Sequence, residues 1–301
     1  MIDIGALGSG LSLAKNGIWY SSSNQPVSYP DKGNQDCFDI ENESFWFRHR
    51  NCCIIEAVKA FPPVSAPAYC TGKADLPDGT IFDIGGGNGF VSLGLIEAGY
   101  DAVLVEPGPQ GAENALRRGV ANIVCATTES AGFKRGSLPA VGLFDVIEHI
   151  DNDLDFMRDI RGLVKPGGRI YATVPSYQSL WSAQDESAGH FRRYSMQSLL
   201  RLFGSAGFHI DYVTAVFRFL PVPVFFLRSL PYKLAKSISA LRSLICSGVN
   251  DSSKILRDHS AGNGISRKLL DYLMNFEVEN IRRSETMLFG GSLLIVARPG
   301  V

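Results

Sequence analysis

Glycines 85, 87 and 89 alternate directly after the short apolar stretch Thr80–Ile84 and before a segment with helical spacing, Gly89–Ala98. Glycine allows positive φ and a close approach of the backbone to a ligand, and the start of the following helix offers unpaired N–H groups. A strand, a glycine turn and a helix in this order form a nucleotide cradle at the carboxyl end of a strand. A glycine-rich turn also occurs as a purely structural feature, so its neighbours must discriminate between the two interpretations.

Acidic residues lie on both sides of this glycine loop. Asp83 precedes the first glycine by two residues, and Glu106 ends the next predicted strand, about twenty residues on, where a carboxylate can accept the hydroxyls of a ribose. Counted from Gly85, the sixth position is Phe90, whereas a dinucleotide fingerprint requires glycine there. The spacing therefore argues against a dinucleotide and favours another nucleoside cofactor.

A second group of chemically active residues follows the later strands. Asp145, Glu148 and His149 come directly after the predicted fourth strand, and His190 lies in the polar run Trp181–Tyr194. Carboxylates and imidazoles can remove a proton from an acceptor hydroxyl or bind a divalent cation. The alternative is that Glu148 and His149 only begin a helix, where an acid complements the helix dipole.

The adjacent arginines Arg192 and Arg193 allow two interpretations. A guanidinium group matches a carboxylate or phosphate on a substrate, but the same side chains can pair with Asp185 and Glu186 and fix the loop. Aromatic residues of the region either frame an apolar acceptor or belong to ordinary packing. They are Tyr177, Trp181 and Tyr194.

Short apolar stretches that alternate with helical segments predict a parallel sheet covered on both faces. The predicted strands are Thr80–Ile84, Ala102–Glu106, Asn122–Cys125, Val141–Phe144, Arg169–Val174, His209–Val216 and Ser292–Ala297. A cap helix is expected from about Asn42–Ser44 to Phe61, where Pro62 and Pro63 end it. The first forty residues, rich in Gly, Ser, Asn and Pro, predict irregular chain, and residues 64–78 a connection.

Four stretches together resemble class I S-adenosylmethionine-dependent methyltransferases, in the branch of ubiquinone-biosynthesis O-methyltransferases and related small-molecule enzymes. They are Asp83–Gly89, Val103–Pro107, Leu143–Ile150 and Leu163–Gly168. The resemblance implies an α/β, Rossmann-like fold with a seven-stranded, mostly parallel sheet whose last strand is antiparallel. It makes S-adenosylmethionine the expected cofactor, with a NAD-dependent oxidoreductase as the alternative.

The resemblance also implies which residues form the site. The expected cofactor ligands are Asp83, Gly85, Gly86, Gly87, Gly89, Glu106, Pro107, Thr127, Phe144 and Asp145. Related enzymes often carry an acid after the third strand, near the adenine, whereas this chain has Cys125-Ala126-Thr127. His149, His190 and Asp145 are the expected catalytic residues, and Arg192, Arg193 and the three aromatic residues named above are candidates for acceptor binding.

A metal site is a further hypothesis. The pattern Asp145-x-x-Glu148-His149 resembles the E-x-x-E-H metal motif of some ubiquinone-pathway O-methyltransferases and of small-RNA terminal 2′-O-methyltransferases. With His190 as a fourth ligand, it implies Mg²⁺ or another divalent ion that lowers the pKa of an acceptor hydroxyl.

Composition divides the chain into four parts. An N-terminal arm and cap helix, 1–78, precede a cofactor-binding core, 79–216; a helical insertion, 217–288, precedes a last strand, 289–301. Seven basic residues and one acid, Asp251, lie in the stretch 216–257, Arg257 included, and the stretch 217–246 is apolar and then basic. It predicts a lid, a surface in peripheral contact with an anionic membrane, or a subdomain packed on itself or on a second subunit.

The net charge and the cysteine spacing limit the classes of partner and of site that the chain can have. A net charge of −1 gives no electrostatic footprint for nucleic acid, and the six cysteines follow no disulfide or zinc spacing. Without a basic, apolar leader or an uninterrupted apolar span, a cytoplasmic or membrane-peripheral enzyme is expected.

The predicted reaction is in-line methyl transfer to a hydroxyl of a small hydrophobic or lipid-like acceptor. An RNA 2′-O-methyltransferase and a non-catalytic cofactor-binding module are the alternatives.

Overall fold

The computed structural model describes residues 2–22, 37–63, 77, 79–237 and 265–300, and within these ranges nine strands form one mixed sheet. The strands are β1 (Leu11–Leu13), β2 (Trp19–Ser21), β3 (Ile81–Ile84), β4 (Ala102–Val105), β5 (Ile123–Cys125), β6 (Leu138–Phe144), β7 (Val164–Pro175), β8 (Phe208–Val216) and β9 (Ser292–Pro299). Their order across the sheet is β1-β2-β5-β4-β3-β6-β7-β9-β8.

The centre of the sheet is parallel, as the sequence predicts. Strands β5, β4, β3, β6 and β7 run in the same direction, and β9 lies antiparallel between β7 and β8. Every residue of β3, β4 and β6 is buried, because helices cover both faces of the sheet. The predicted α/β fold and the antiparallel last strand are therefore confirmed.

The predicted strand number is wrong, since two further strands come from the N-terminal arm. β1 and β2 form a hairpin, and β2 pairs in parallel with β5, with Trp19 opposite Val124. Both strands lie in the region for which the sequence predicts irregular chain. Each is only three residues long, too short for a hydrophobic alternation to be recognised.

Helices connect the strands and cover the sheet. They are α1 (Phe45–Ala60), α2 (Phe90–Glu97), α3 (Pro109–Arg118), α4 (Thr128–Ala131), α5 (Asp153–Leu163), α6 (Ala183–Ala188), α7 (Met196–Ser205), α8 (Pro221–Val224), α9 (Leu230–Ser237) and α10 (Ile265–Arg282). A π-helical turn, Phe225–Ser229, joins α8 to α9. We call the continuous helical segment 221–237 the mouth helix.

The cap helix α1 begins and ends close to where the sequence places it. Ser44 caps its start by accepting the N–H groups of Trp46 and Phe47, and the helix ends just before Pro62. Its buried face packs against α2 and against α10, which returns from the predicted insertion. Residues 238–264 of the predicted insertion, and with them the rest of the basic stretch 217–246, lie outside the described residues, as does most of the connection 64–78. No described helix is long and apolar enough to cross a membrane.

Candidate cofactor and acceptor site

A cavity of 560 Å³ lies at the carboxyl ends of the parallel strands and beneath the cap helix α1. It brings together residues from the glycine loop, the ends of β4, β6 and β7, the polar run and the mouth helix. Among the predicted site residues, it is lined by Asp83, Gly85, Gly86, Gly87, Glu106, Pro107, Phe144, Asp145, Glu148, His149, His190 and Arg193.

The glycine loop has the backbone conformation that its sequence predicts. Gly85, Gly87 and Gly89 adopt φ angles of 70°, 54° and 75°. A Cβ atom at Gly86 would clash with Leu104 and with the carboxylate of Asp83, whereas a Cβ at Gly87 would meet no described atom within 4 Å. The loop is therefore packed on the sheet side and open beside Gly87, as a ligand cradle requires.

The two acids predicted beside the loop are both buried. Oδ2 of Asp83 accepts a hydrogen bond of 2.6 Å from Ser92, while its Oδ1 has no hydrogen-bond partner among the described residues. Burial raises the pKa of Asp83 to about 6, although the hydrogen bond from Ser92 opposes the rise. Asp83 therefore offers one oxygen to a donor that a ligand would supply.

Glu106 fixes the loop in this conformation. Its oxygens accept the N–H groups of Gly87 and Gly108 at 2.9 and 2.7 Å. Burial nevertheless raises the pKa of Glu106 to about 7, because the two hydrogen bonds only partly offset the loss of solvent. Each carboxylate oxygen retains a second lone pair with which it can accept a hydroxyl.

A polar cluster that the sequence analysis missed holds the N-terminal segment against the loop. Arg118 on α3 donates to Glu41 at 2.5 Å and to the carbonyl oxygen of Asn88 at 3.0 Å. The amide of Asn88 donates to the other oxygen of Glu41 at 3.3 Å. Since these residues lie 30 to 77 positions apart, no local pattern reveals the cluster.

Arg50 is a second residue that the sequence analysis missed. It reaches from α1 to the carboxylate of Asp145, and its guanidinium carbon lies 4.7 Å from the ring centroid of Trp46. Its Nε is buried and lacks a partner within the described ranges. The other oxygen of Asp145 accepts a hydrogen bond of 2.9 Å from Thr173. The spacing of Trp46 and Arg50, one helical turn, is the local signal that was available.

Three of the four predicted metal ligands converge at the far end of the cavity. Ligand atoms of Glu148, His149 and His190 all lie within 4.8 Å of one another, and the two imidazole rings are 4.7 Å apart. The fourth, Asp145, is not in this group, because its oxygens are bound to Arg50 and Thr173.

The protonation of this group follows from its surroundings. Burial and the neighbouring His190 lower the pKa of His149 to about 4. Burial and the charge of Asp145 raise the pKa of Glu148 well above its usual range, and Glu148 Oε2 has no partner in the described chain. At neutral pH the end of the cavity therefore carries a neutral imidazole and a carboxyl group with an unused oxygen.

Asp185, which also lines the cavity, orients His190. Nδ1 of His190 donates to its Oδ1 at 2.9 Å, and Nε of Arg193 donates to the same oxygen at 2.7 Å. Burial raises the pKa of Asp185, but the hydrogen bond from His190 and the charge of Arg193 outweigh it and bring the pKa to about 2. The imidazole is thus held with its Nε2 available.

Several predicted acceptor residues have structural partners instead. Arg192 pairs with Asp153 at 2.7 Å and donates to the carbonyl oxygen of Asp151, while the hydroxyl of Tyr194 also donates to Asp153. Arg193 pairs with Asp185, as described above. Together these contacts favour the interpretation that the two arginines fix the loop. As far as the described chain goes, the cavity lining does not include Gly89, Thr127, Tyr177, Trp181, Arg192 or Tyr194.

An aromatic wall forms the side of the cavity between α1 and the mouth helix. Phe217, at φ 61°, stacks on Trp46 with ring centroids 5.5 Å apart. Glu277 on α10 supports this turn by accepting the N–H groups of Phe217 and Arg218 at 2.8 and 2.6 Å. It also accepts a hydrogen bond of 2.8 Å from His49 of α1. The sequence analysis did not single out either Phe217 or Glu277.

These features fit a nucleoside cofactor with a charged amino-acid end. The open side of Gly87 and the hydroxyl-accepting Glu106 suit a ribose, and the unpaired atoms Asp83 Oδ1 and Arg50 Nε suit an ammonium and a carboxylate. S-adenosylmethionine carries all of these groups.

Several known proteins with similar sequence or fold are methyltransferases. A ubiquinone biosynthesis O-methyltransferase from Xanthomonas oryzae pv. oryzae is 24% identical over 112 residues, which are 35% of this chain and 47% of that protein. The chain thus spans about half the length of the curated relatives it matches. Phosphoethanolamine N-methyltransferase 2 from Haemonchus contortus, solved with phosphomonomethylethanolamine and S-adenosylhomocysteine, matches with TM-score 0.50 and 18% identity over 91% of this chain and 59% of that one.

A family model provides the decisive comparison. The model described as a methyltransferase domain matches residues 49–213, more than half of the chain, and the match includes most of α1 and the strands β3 to β7. The matched region therefore contains the glycine loop, Glu106 and the group formed by Glu148, His149 and His190. The chain belongs to the methyltransferase domain family, as a class I member of the S-adenosylmethionine-dependent type.

Proposed function

We propose that the protein transfers a methyl group from S-adenosylmethionine to a hydroxyl oxygen of a small, largely apolar acceptor. One observation carries this proposal: the cofactor cradle and the group Glu148, His149 and His190 line the same cavity. Methyl transfer is an in-line displacement, so a protein has to align the acceptor, exclude water and remove the hydroxyl proton. One cavity lined by both the cradle and proton-accepting side chains suits this alignment and the removal of the proton.

The cradle residues have distinct parts in holding the cofactor. Glu106 accepts the ribose hydroxyls, Arg50 attracts the carboxylate of the methionine end, and Asp83 or Asp145 attracts its ammonium group. The bound cofactor supplies an electrophilic methyl group on a positively charged sulfur. The stacked rings of Trp46 and Phe217 keep water away from that end of the cavity.

The acceptor side combines apolar walls with a polar end. Phe45, Trp46, Phe217, Leu220 and Val224 all line the cavity. Such walls favour an apolar body, and the imidazoles at the end favour a hydroxyl that has to lose a proton. The lowered pKa of His149 keeps that imidazole neutral at physiological pH, so a ring nitrogen can accept a hydrogen bond from the hydroxyl. An acceptor of this kind partitions into membranes, and a route from a lipid surface is part of the proposal.

The same group of side chains fits a divalent cation. Glu148 Oε2 is a buried oxygen without a partner in the described residues, and Asp185 fixes His190 so that its Nε2 remains available, as is typical of metal-binding histidines. Two imidazoles and one carboxylate suit a transition ion such as Zn²⁺, Mn²⁺ or Fe²⁺ better than Mg²⁺, which prefers oxygen ligands. A bound ion would lower the pKa of the acceptor hydroxyl.

Calorimetry with S-adenosylmethionine and with NAD tests the cofactor. We expect the first to bind and the second not to. A label-transfer screen of phenols, hydroxylated lipids and RNA then tests the acceptor, and we expect incorporation into an apolar hydroxyl compound. Binding of NAD alone, or labelling confined to RNA, would contradict the proposal.

The metal hypothesis has a separate test, because it predicts binding as well as activity. Elemental analysis of the purified protein and calorimetry with Zn²⁺ and Mn²⁺ should give one ion per chain, and His190→Ala and Glu148→Gln should lose it. Asp185→Asn should weaken it roughly tenfold or more, since the histidine loses its orientation. Arg192→Ala, in the same segment but outside the cavity lining, is the matched control. Full activity after exhaustive chelation and in His149→Ala would exclude this role.

A further inference from the structure

We infer that the mouth helix, residues 221–237, docks on an anionic lipid bilayer and places the cavity entrance at the membrane surface. The inference rests on the exposure, charge and position of this helix, and it does not require that the proposed reaction be correct.

The outer face of the mouth helix is apolar and exposed. The side chains of Phe226 and Leu227 are 60% and 76% exposed, and those of Val222 and Leu234 are also more than half exposed. Val222 and Phe226 are four residues apart, a spacing that favours one side of a helix, and Leu234 is exposed further along the same segment. Large apolar side chains rarely cluster at a protein surface unless they contact a partner or a membrane.

The inner face of the same helix belongs to the cavity. Val224 and Arg228 line it, as does Leu220 just before the helix, and the hydroxyl of Ser229 donates to the carbonyl oxygen of Leu180 at 2.8 Å. The mouth helix therefore stands between the cavity and the exterior and is anchored to the core. A surface bound to its outer face would adjoin the cavity entrance.

Charge identifies the partner as an anionic surface. The mouth helix, residues 221–237, contains Arg228, Lys233 and Lys236 and no acidic residue. Glu186 of α6 lies beside them and pairs with Lys236 at 3.4 Å, which leaves a clear excess of positive charge. An exposed apolar face flanked by basic residues is typical of helices that lie in the interface of anionic bilayers.

A second apolar element adjoins the same part of the core. Leu288 is 74% exposed, and Phe289 beside it is also exposed. The ring of Tyr177 lies 5.8 Å from that of Phe289, and its hydroxyl donates to the carbonyl oxygen of Leu288 at 3.2 Å. The short segment from Tyr177 to Leu180 thus contacts both this loop and the mouth helix, which provides two neighbouring apolar contacts for a bilayer.

The test is flotation of the full-length protein with vesicles of phosphatidylcholine alone and with vesicles that also contain phosphatidylglycerol. We expect binding to the anionic vesicles, at least about tenfold weaker binding to the neutral ones, and a decline as salt is raised. Phe226→Glu with Leu227→Glu should abolish flotation, and Leu288→Glu should weaken it. Leu13→Glu is the matched control, because Leu13 is an exposed leucine on β1, at the opposite edge of the sheet.

Control measurements distinguish the loss of membrane binding from misfolding, from a failure of the proposed reaction and from dimer formation. Cofactor affinity, measured for every variant, identifies those that fail to fold, since neither Phe226 nor Leu227 lines the cavity. His190→Ala should float like the unmodified chain, so a failure of the proposed reaction does not affect this test. Equal binding to neutral and anionic vesicles, or flotation that survives the double substitution, would overturn the inference. So would the absence of flotation together with a dimer that the double substitution dissociates, because a second copy would then cover the patch.

Discussion

The guanidinium group of Arg50 on the cap helix is paired with the carboxylate of Asp145 at the end of β6, across the cofactor cradle. Their side chains are 11% and 19% exposed, so the pair is largely removed from water. Asp145 also has a positive φ of 59°, a conformation that is uncommon outside glycine and is often found at functional sites. The ion pair therefore connects the cap helix α1, which covers the cavity, to the carboxyl end of β6, which lines it.

Replacing Arg50 should affect both stability and cofactor binding. Arg50→Leu leaves Asp145 without its cation, and we expect a loss of about 2–4 kcal/mol in the free energy of unfolding. Cofactor affinity should fall by more than tenfold, because the carboxylate of the methionine end loses its partner. Urea denaturation and calorimetry measure the two effects, with Arg50→Lys as the variant that retains the charge. Unchanged affinity in Arg50→Leu would exclude the role proposed for this residue.

Glu106 should make cofactor affinity depend on pH. The hydroxyls of a ribose donate to the ionised carboxylate, and burial places its pKa at about 7. Affinity should therefore rise about tenfold between roughly pH 6 and 8, as the ionised fraction grows. Glu106→Gln should lower the affinity and reduce this dependence to the smaller part that the titration of Asp83 near pH 6 contributes. A calorimetric titration at several pH values provides the measurement.

The raised pKa of Glu106 also predicts that the stability of the unliganded protein falls as the pH rises, whereas cofactor affinity increases. Because the folded pKa lies above the ordinary value of 4.5, this carboxyl group favours the folded state at low pH. That contribution is lost as the pH rises through about 7. The melting temperature of the unmodified chain, compared with that of Glu106→Gln, should therefore fall as the pH rises toward about 7. A difference between the two melting temperatures that is constant from pH 5 to about 8 would contradict the raised pKa of Glu106.

Alanine substitutions at three glycines distinguish a packing role from a contact with the ligand. Gly86→Ala should reduce stability by about 1–3 kcal/mol, because its Cβ clashes with Leu104 and Asp83. Gly87→Ala should retain the fold but lose cofactor affinity, since its Cβ points into open space of the cradle. Gly136→Ala is the control: Gly136 has a similar φ of 67° and open surroundings, away from the cavity lining. Equal cofactor affinity in the Gly87 and Gly136 variants would show that the ligand lies elsewhere.

Glu277 should be important for stability although it lies far from the cofactor loop. Removing its carboxylate in Glu277→Ala leaves the N–H groups of Phe217 and Arg218 and the ring of His49 without their acceptor. We expect a loss of about 3 kcal/mol in the free energy of unfolding, measured by urea denaturation. Glu279→Ala, an exposed acid on the same helix, should change it by less than about 0.5 kcal/mol. Equal losses in the two variants would contradict this role.

Local sequence signals predicted the centre of the fold and the cofactor loop. The alternation of buried strands and helices placed β3 to β9 within a few residues, and the glycine spacing indicated a loop that lines the cavity together with Asp83 and Glu106. These features depend on neighbours in sequence, such as the positive φ angles of Gly85 and Gly87. For that reason they can be recognised without the fold.

Contacts between distant segments could not be predicted in the same way. The pairing of Arg50 with Asp145 and the acceptance of the Phe217 N–H by Glu277 depend on how α1 and α10 pack on the core. The roles of Arg192 and Tyr194 were equally undetermined, since an acidic partner at Asp153 becomes apparent only once the loop is folded. Side-chain type indicated the chemistry available to these residues, but tertiary packing determined their partners.

The hairpin of β1 and β2 has a consequence for assembly. In a sheet that ended at β5, the free backbone groups of that strand would be available for pairing with a strand of another molecule. Here β2 occupies that edge, and the outermost strand β1 is only three residues long. Strand pairing between two molecules through β5 is therefore blocked, and among the described strands the longer free border of the sheet is β8 at the opposite end.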